Sequence, residues 1–456
     1  MTLADALFIV VNVMNETTRF NLAIAGCGTV GGAAAALLSK DRKSIREKTG
    51  IDINLKYIID VDFTHAKSLG LDENLFTDTL ETALSDPAIH AVVELIGGTT
   101  IARDVTEKCL KAGKHVITAN KALLAHHGSD LMAAARKYGV SMAFEASCGG
   151  GIPIVRALYD GLTANRIEAL YGIVNGTCNY ILTAMTTKGQ SYREALSEAQ
   201  VSGLAEADPT LDVSGMDSAH KLAILGSLAF GKKVELDSIP VKGIDSLDLL
   251  DVAYGQELGY VVKLLAIARK LNKGISCAVR PSFIGKEHPL AWISGSFNAV
   301  SVYGHAVGHT MYYGRGAGGL PTASAVIADI ISVALGTIPA LFKGLTIWPD
   351  TSARAEQLPP EQIRSRYYIR LMVEDKPGVF AKFAAVLGEN GISISSVLQK
   401  EPADEAAEPV IVPVVITTHE VLEGDLTRAL DIINTFAEVR EPAVCINIID
   451  EHEENF

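Results

Sequence analysis

The sequence predicts an α/β protein: a doubly wound parallel sheet first, an α+β domain next, and a small βαββαβ module last. Three observations carry this reading. Short apolar segments alternate with helical stretches from 21 to about 150. Helical runs then precede strand-like pieces from about 151 to 343. Beyond a proline-bearing stretch, 344–366, the pattern tightens into strand, helix, two strands, helix and strand over 367–456.

Bulk properties agree. A chain of 456 residues exceeds one ordinary core. Hydrophobic residues at 48% and charged ones at 20% describe a globular protein in water. The 40 Lys and Arg against 53 Asp and Glu leave a net charge of −13, which argues against a nucleic-acid or membrane partner. Cys27, Cys109, Cys148, Cys178, Cys277 and Cys445 are scattered without a Cys-x-x-Cys pair, as reduced thiols of a cytoplasmic protein would be. His126-His127 and the pair His305 and His309 lack the partners of a metal site. Residues 1–20 read as a dispensable extension with Met14 as a plausible start. Their apolar run 7–11 has no basic residue before it and is too short for a bilayer.

In chain order, strands are expected at 22–25, 55–59, 91–95, 115–118 and 141–145, with helices including 33–38, 101–112 and 129–137. The strands are apolar throughout, as when helices cover both faces. The middle, 151–343, offers helices at 153–162, 180–187, 192–201 and 217–230, then strands at 275–284 and 297–302. Gly314-Arg315-Gly316-Ala317-Gly318-Gly319 is a flexible turn that either closes over a ligand or is only a loop. Residues 344–366 read as a linker. The final module has strands at 368–373, 392–399, 410–417 and 444–449 and helices at 379–389 and 422–436. Asp375-Lys376-Pro377-Gly378 turns into its first helix, and 401–408 forms an acidic, solvated hairpin loop.

The first strand runs into Gly26-Cys27-Gly28-Thr29-Val30-Gly31 and then a helix. That context makes Gly-x-Gly-x-x-Gly a dinucleotide fingerprint and the sheet Rossmann-type. Gly26 permits the tight turn, Gly28 admits a pyrophosphate, and Gly31 lets helix and strand pack closely. Thr29 and Val30 begin a helix whose N–H groups and dipole favour phosphate. The second strand ends Asp60-Val61-Asp62. Either aspartate can accept from ribose hydroxyls, and either can be a solvated strand end. An acid without an adjacent Arg leans to NAD over NADP. The offset from Gly31 exceeds the usual ~20 residues, as an insertion around 44–54 would explain. Thr99 and Lys121 follow the third and fourth strands, where ligands of such sheets collect. The plainer alternative for Lys121 is a surface lysine on a turn.

The densest chemistry lies in Glu206, Asp208, Asp212, Asp217 and Lys221. A helix puts Asp217 and Lys221 on one face. They form either a plain ion pair worth ~0.3–0.5 kcal/mol or a site in which acids grip an ammonium group and Lys221 meets a carbonyl oxygen. Asp208-Pro209 can be no more than a helix cap. Cys148 and Cys178 suggest a competing mechanism, a nucleophilic thiolate in an acylating semialdehyde dehydrogenase. That chemistry needs a nearby base, and no histidine adjoins either in sequence.

Taken together, the fingerprint, Gly113-Lys114-His115-Val116-Ile117-Thr118-Ala119-Asn120-Lys121-Ala122, residues 144–153, 174–182, 203–221, 288–291 with Asn298-Ala299-Val300, and 314–329 resemble homoserine dehydrogenases. The segment Ala205-Glu206-Ala207-Asp208-Pro209 through Lys221 is the most specific of these. The C-terminal pattern resembles an ACT domain, and with no kinase domain upstream the chain resembles the monofunctional type. The resemblance implies NAD(P)H-dependent interconversion of L-aspartate 4-semialdehyde and L-homoserine in threonine and methionine biosynthesis. Lys221 would be the general acid/base and Asp217 its support. Lys121 would sit by the nicotinamide and share the proton work and substrate contacts. Glu206 and Asp212 would bind the amino-acid substrate, and Gly318 would lie at the cofactor. Carbonyls of Glu145, Cys148, Gly150 and Ile152 would hold a monovalent cation, Na⁺. A homodimer or homotetramer and a threonine effector at the ACT-like module are implied too. The alternative outside enzymology is a cofactor-bound amino-acid sensor. Two positions depart from the family pattern: Val61 where an arginine is frequent, and Cys148 where a valine is.

Overall fold

Alternating apolar strands and helices build the first sheet as the sequence predicts. The computed structural model describes residues 18–400 and 409–453; the expected start at Met14 and the loop 401–408 lie outside them. The chain divides into two compact units. The first holds the chain up to Arg166, Ala223–Leu236 and Tyr312–Arg354; the second holds Ile167–Leu222, Asp237–Met311 and the chain from Ala355.

In the first unit, β1 (Thr18–Ala25), β2 (Ile51–Ile59), β3 (Phe76–Thr77), β4 (Ile89–Glu94), β5 (His115–Thr118) and β6 (Met142–Ala143) form a parallel sheet of order β3-β2-β1-β4-β5-β6. The order reverses between β1 and β4, the place where such sheets bind ligands. Around them run α1 (Thr29–Thr49), α2 (Ile101–Lys111) and α3 (Lys121–Lys137). The helix Gly319–Ala334 joins the same core, burying Ala323, Val326, Ile330 and Val333 with Leu22, Ile24, Ala34 and Leu38.

Four expectations change here. The surplus at 44–54 is not an inserted loop: α1 continues to Thr49 and β2 starts at Ile51. Helix α3 begins two turns before 129, because the Asn120 side chain caps it by accepting from Leu123 N–H at 3.0 Å. Lys121 is therefore the first residue of a helix. The fifth expected strand stops at Ala143, and Glu145 enters a 3₁₀ turn, Glu145–Ser147. The start of 344–366 is no flexible linker. Trp348 is 2% exposed against Phe144, Tyr159 and Phe342, and Arg136 pairs with Asp350 at 2.5 Å.

The second unit contains β7 (Ile167–Ile173), α4 (Gly176–Lys188), α5 (Tyr192–Val201), the start of α6 (Met216–Phe230), β8 (Tyr260–Leu271), β9 (Gly274–Gly285), β10 (Phe297–Gly304) and the first half of β11 (Gly308–Arg315). Helix α5 falls where predicted because Ser191 and Glu194 close a capping box. Strands β7, β8 and β11 were not foreseen. The last module follows the expected pattern: β12 (Arg364–Glu374), α7 (Val379–Glu389), β13 (Ile394–Gln399), β14 (Ile411–Thr418), β15 (Val421–Leu422), α8 (Glu423–Ile433) and β16 (Val439–Ile449). Its sheet is not separate. β16 pairs in parallel with β9, giving one sheet of order β11-β10-β7-β8-β9-β16-β12-β14-β13. Among the described residues no single helix is long and apolar enough to cross a membrane.

On β8, Lys263 is 3% exposed. Its ammonium donates to Asn179 Oδ1 at 3.2 Å and to Ile293 O. Asn179 on α4 in turn donates to Gly295 O at 2.9 Å and Phe297 O at 3.1 Å. Burial lowers the Lys263 pKa from 10.5 to about 8. The unfolded chain then binds one more proton between those values, so folding stability rises with pH across that window. Relative to Lys263→Met, the parent chain should gain roughly 2–3 kcal/mol of unfolding free energy between pH 8 and 10. Urea melts at a series of pH values measure this; parallel curves for the two proteins would count against it.

Candidate active site

The fingerprint loop has the close contacts its glycines are meant to allow. Gly26 has φ 95°, and a Cβ there would lie 2.6 Å from Leu95 C. A Cβ on Gly31 would lie 1.9 Å from Gly26 O. The space beside Gly28 is open, with nothing within 4 Å, at the N-terminus of α1. That concavity fits a pyrophosphate. Gly319 lies against this first turn, its Cβ direction 3.3 Å from Thr29 O, so Gly318 is beside the fingerprint as well.

Asp60 has a different role from a simple ribose acceptor. Its Oδ2 accepts from Cys27 N–H at 2.5 Å, and Oδ1 accepts from Val61 N–H at 2.7 Å and Asp62 N–H at 3.3 Å. It ties the end of β2 to the glycine loop. Asp62 is exposed, accepts from Thr64 N–H at 2.8 Å, and is held below the usual carboxylate range by Thr64. Sequence reasoning missed Glu94, fully buried at the end of β4. It accepts from Thr118 Oγ1 at 2.7 Å and from Ile96 N–H at 2.9 Å, and burial raises its pKa. Asn120 Nδ2 donates to Gly98 O at 2.7 Å. These bonds fix the strand ends that carry Thr99 and Lys121, both half-buried.

The Glu145 segment is locked from two sides. Its N–H donates to Asp329 Oδ2 at 2.8 Å, and its carboxylate accepts from Val155 and Arg156 N–H at 3.0 and 2.7 Å. Burial pushes both carboxyl groups up. Gly151 N–H donates to Arg315 O at 2.9 Å, joining the loop to the second glycine turn. The Glu145 side chain thus serves the backbone. Among the described residues no group of His, Cys, Asp and Glu side chains could hold a metal ion. A cation in this loop would rest on carbonyls such as those of Cys148, Gly150 and Ile152.

The second unit gathers the acidic segment around the first turn of α4. Lys221 is 8% exposed and Asp217 3%. Lys221 Nζ donates to Asp217 Oδ2 at 2.7 Å and to Val174 O at 2.6 Å. Asn175, the cap of α4, is the centre that sequence reasoning missed. Its Oδ1 accepts from Cys178 N–H at 2.8 Å, while Nδ2 donates to Asp212 Oδ1 at 2.7 Å and Asp217 Oδ2 at 2.8 Å. Asn before Gly-Thr at a helix start signals a cap; nothing in the sequence signals its two carboxylate partners. Thr177 Oγ1 donates to Leu204 O at 2.9 Å and Cys178 Sγ to Asp212 O at 3.2 Å, so one helical turn clamps both ends of the segment. Glu206 stays exposed on the clamped loop. Asp208 Oδ1 accepts from Thr210 N–H at 3.1 Å and Oγ1 at 2.5 Å, but Pro209 is the cap residue of the short helix Thr210–Val213, so the expected cap with Pro at its first helical position does not form.

The thiol mechanism finds no support. Cys178 is buried and its pKa is driven well up by burial and then by Asp212 and Asp217. A thiolate there would face two carboxylates. Cys148 is fully buried.

A parallel sheet reversing at a glycine fingerprint, with a loop shaped for pyrophosphate, defines an NAD(P)-binding oxidoreductase. Family models narrow the class. "Homoserine dehydrogenase, NAD binding domain" matches residues 26–145, "Homoserine dehydrogenase" matches 153–331, and "ACT domain" matches 367–436. The Pseudomonas aeruginosa homoserine dehydrogenase is 42% identical over 93% of this chain and 98% of its own. That of Neisseria gonorrhoeae is 39% identical over 95% and 99%. A crystal structure of a homoserine dehydrogenase from Thiobacillus denitrificans superposes with a TM-score of 0.89 at 40% identity, over 95% of this chain and 99% of that one. The chain belongs to the homoserine dehydrogenase family.

Removing the Asn175 amide leaves Asp212 and Asp217 without their shared donor and α4 without its cap. Asn175→Ala should lower kcat by about 10- to 100-fold and cost roughly 1 kcal/mol of stability, with the KM for cofactor little changed. Steady-state kinetics with a thermal melt checks both; an unchanged kcat would show that the amide only caps.

Proposed function

We propose that the chain interconverts L-aspartate 4-semialdehyde and L-homoserine with NAD(P)H, serving threonine and methionine biosynthesis. The observation that carries the assignment of residues is the buried Lys221–Asp217 pair held through Asn175 to Asp212. A bound nicotinamide dinucleotide supplies the hydride. As the aldehyde carbon is reduced, its oxygen gains negative charge. The Lys221 ammonium stabilises that charge and delivers the proton. Asp217 and Val174 O fix the direction of Nζ. In the oxidative direction the neutral amine takes the proton back. Glu206 and Asp212 bind the amino-acid substrate, with Glu206 on its ammonium group. Lys121 lies by the nicotinamide and shares the proton work.

On the cofactor side, Gly26, Gly28, Thr29, Val30, Gly31, Thr99 and Gly318 line the dinucleotide. Asp62 is the better ribose partner, because Asp60 already serves three N–H groups. An acid beside the exposed Val61, with no arginine there, favours NAD over NADP. A hyperthermophilic archaeal homoserine dehydrogenase, 25% identical with a TM-score of 0.59, has been solved in complex with NADPH. Carbonyls of Glu145, Cys148, Gly150 and Ile152 hold Na⁺, a single charge that suits neutral ligands. The enzyme works in the cytoplasm as a homodimer or homotetramer, with its ACT domain taking threonine at the Asp375–Gly378 turn beside Asn390-Gly391.

Lys221→Ala and Asp217→Ala should each lower kcat for aspartate semialdehyde reduction by about 10²-fold or more, with cofactor affinity nearly intact. Cys148→Ser and Cys178→Ser should stay within about tenfold of the parent. Full activity in either of the first two variants, or loss only in the cysteine variants, would overturn the assignment. Isothermal titration with threonine should give heat and parallel inhibition of turnover; neither would appear if the ACT domain served assembly alone.

A further inference from the structure

A cavity of about 410 Å³ opens in the second unit, and none of its walls comes from Asp212, Asp217 or Lys221. Its size is that of a small-molecule pocket. The walls are the segment 240–247, β9, β16, α8 with Asn434 just beyond it, Tyr367 of β12, and Asp251, whose carboxylate is taken up by Arg370. Arg280 Nη1 donates to Glu423 Oε2 at 2.8 Å and to Asn447 Oδ1 at 2.9 Å. The Tyr367 hydroxyl donates to the same Glu423 oxygen at 3.3 Å. Lys242, Arg280 and Glu423 all act electrostatically on the Cys445 thiol, which puts two cations and an anion at one end. Leu426, Leu430 and Val279 make the apolar part. Exposed Lys242 and Asp431 stand at the rim. Both charge signs beside branched aliphatic side chains suit a small zwitterion with an apolar side chain better than a bare anion or amine.

One wall reaches the catalytic segment. Lys242 N–H donates to Val279 O at 2.8 Å and Val279 N–H to Pro240 O at 2.9 Å, which fixes the start of 240–247. On its other side Ile244 N–H donates to Val213 O at 2.9 Å. A Cβ on Gly243 would lie 2.1 Å from that oxygen and 2.7 Å from Ser214 Cα. Val213 and Ser214 belong to the turn between Asp212 and Asp217. The two backbones touch, so neither shifts without the other.

We propose that this cavity is a second ligand site, for a free aliphatic α-amino acid, and that the segment 240–247 passes its occupancy to the turn between Asp212 and Asp217. Binding stands on the cavity itself; its effect on catalysis rests on the assignment of those two acids to the amino-acid substrate. The site is separate from the Asp375–Gly378 turn, which contributes none of its walls.

Calorimetry of the full chain with L-valine, isovalerate and isobutylamine separates the zwitterion from its parts. L-valine should bind one per chain at least about tenfold more tightly than either fragment. Saturating L-valine should shift the KM for homoserine by about twofold or more. Thr427→Trp fills the cavity from α8 and should abolish binding while leaving turnover without valine unchanged. Lys242→Gln removes the rim cation, spares the Arg280–Glu423 pair, and should weaken binding about tenfold. Absence of valine heat up to about 20 mM, or heat unchanged in both variants, overturns the site. So does heat lost in Asp375→Ala but kept in Thr427→Trp. Binding that leaves KM unmoved overturns the coupling. Should the parent chain lack dehydrogenase activity, the calorimetry still decides the site.

Discussion

A lysine ammonium and an aspartate, both nearly buried, must be compensated where little water reaches them, and the residues from Val174 to Lys221 are arranged around that requirement. Removing two charges from water costs several kcal/mol per ion, and the pair repays this only with good geometry and further hydrogen bonds. Lys221 has them from Asp217 Oδ2 and Val174 O, and Asp217 has a second donor in Asn175. Because Asn175 also holds Asp212, the cap of one helix sets the spacing of two carboxylates and, through them, of the ammonium. A surface i,i+4 pair of the same sequence spacing would be worth a few tenths of a kcal/mol and would position nothing. Burial distinguishes this pair from that one.

The first unit solves a different problem with the opposite means. A phosphate site needs donors left open, so the glycine loop is shaped by backbone contact and its acid is turned inward. Asp60 takes the N–H groups of Cys27, Val61 and Asp62, which gives the loop rigidity without placing a carboxylate in the phosphate concavity. Glu94 does the same for β4, holding Thr118 and the N–H of Ile96. Two acids, at the ends of the strands that flank β1, therefore serve as internal acceptors, and the ligand-facing surface is left to main-chain donors.

Much of this was legible in the sequence, and the limits have physical causes. The fingerprint and strand β5 carry strong local signals, and α5 begins at a capping box. The acid–lysine segment was legible as a charged cluster because four carboxylates and a lysine of fixed spacing survive any choice of fold. Strand β8 was missed because Lys263, Arg269 and Lys270 interrupt an apolar run that reads as neither period. Strand β7 was missed because its last residues, Leu-Tyr-Gly-Ile, are buried on both faces, and such short runs look alike in strand and helix. Trp348 in the presumed linker could not be placed, since its partners Phe144, Tyr159 and Phe342 come from three separate stretches. The role of Asn175 depends on Asp212 and Asp217, about 40 residues on, and only the folded chain brings them together.

The same reasoning changes what the ACT domain can do. A βαββαβ module on a flexible tether could influence catalysis only by meeting another surface. Here β16 runs beside β9, pairing Asn447 with Ser282 and Ile449 with Ile284, so the module extends the sheet that β7 and β8 belong to. A second tie is buried: Arg370 on β12 bonds both oxygens of Asp251 at 2.7 and 3.0 Å, with the Tyr368 hydroxyl on the same carboxylate at 2.9 Å. Both members are almost wholly inaccessible, at 4% and 1%. Such a pair adds little net stability over an apolar contact, but breaking it strands a buried charge. It therefore fixes the register of the module against the helix Leu249–Glu257 and resists sliding or detachment. A ligand held by the module cannot act by releasing it. Shared backbone is the remaining route, and the segment 240–247, bonded to β9 on one side and to Val213 on the other, is one such connection.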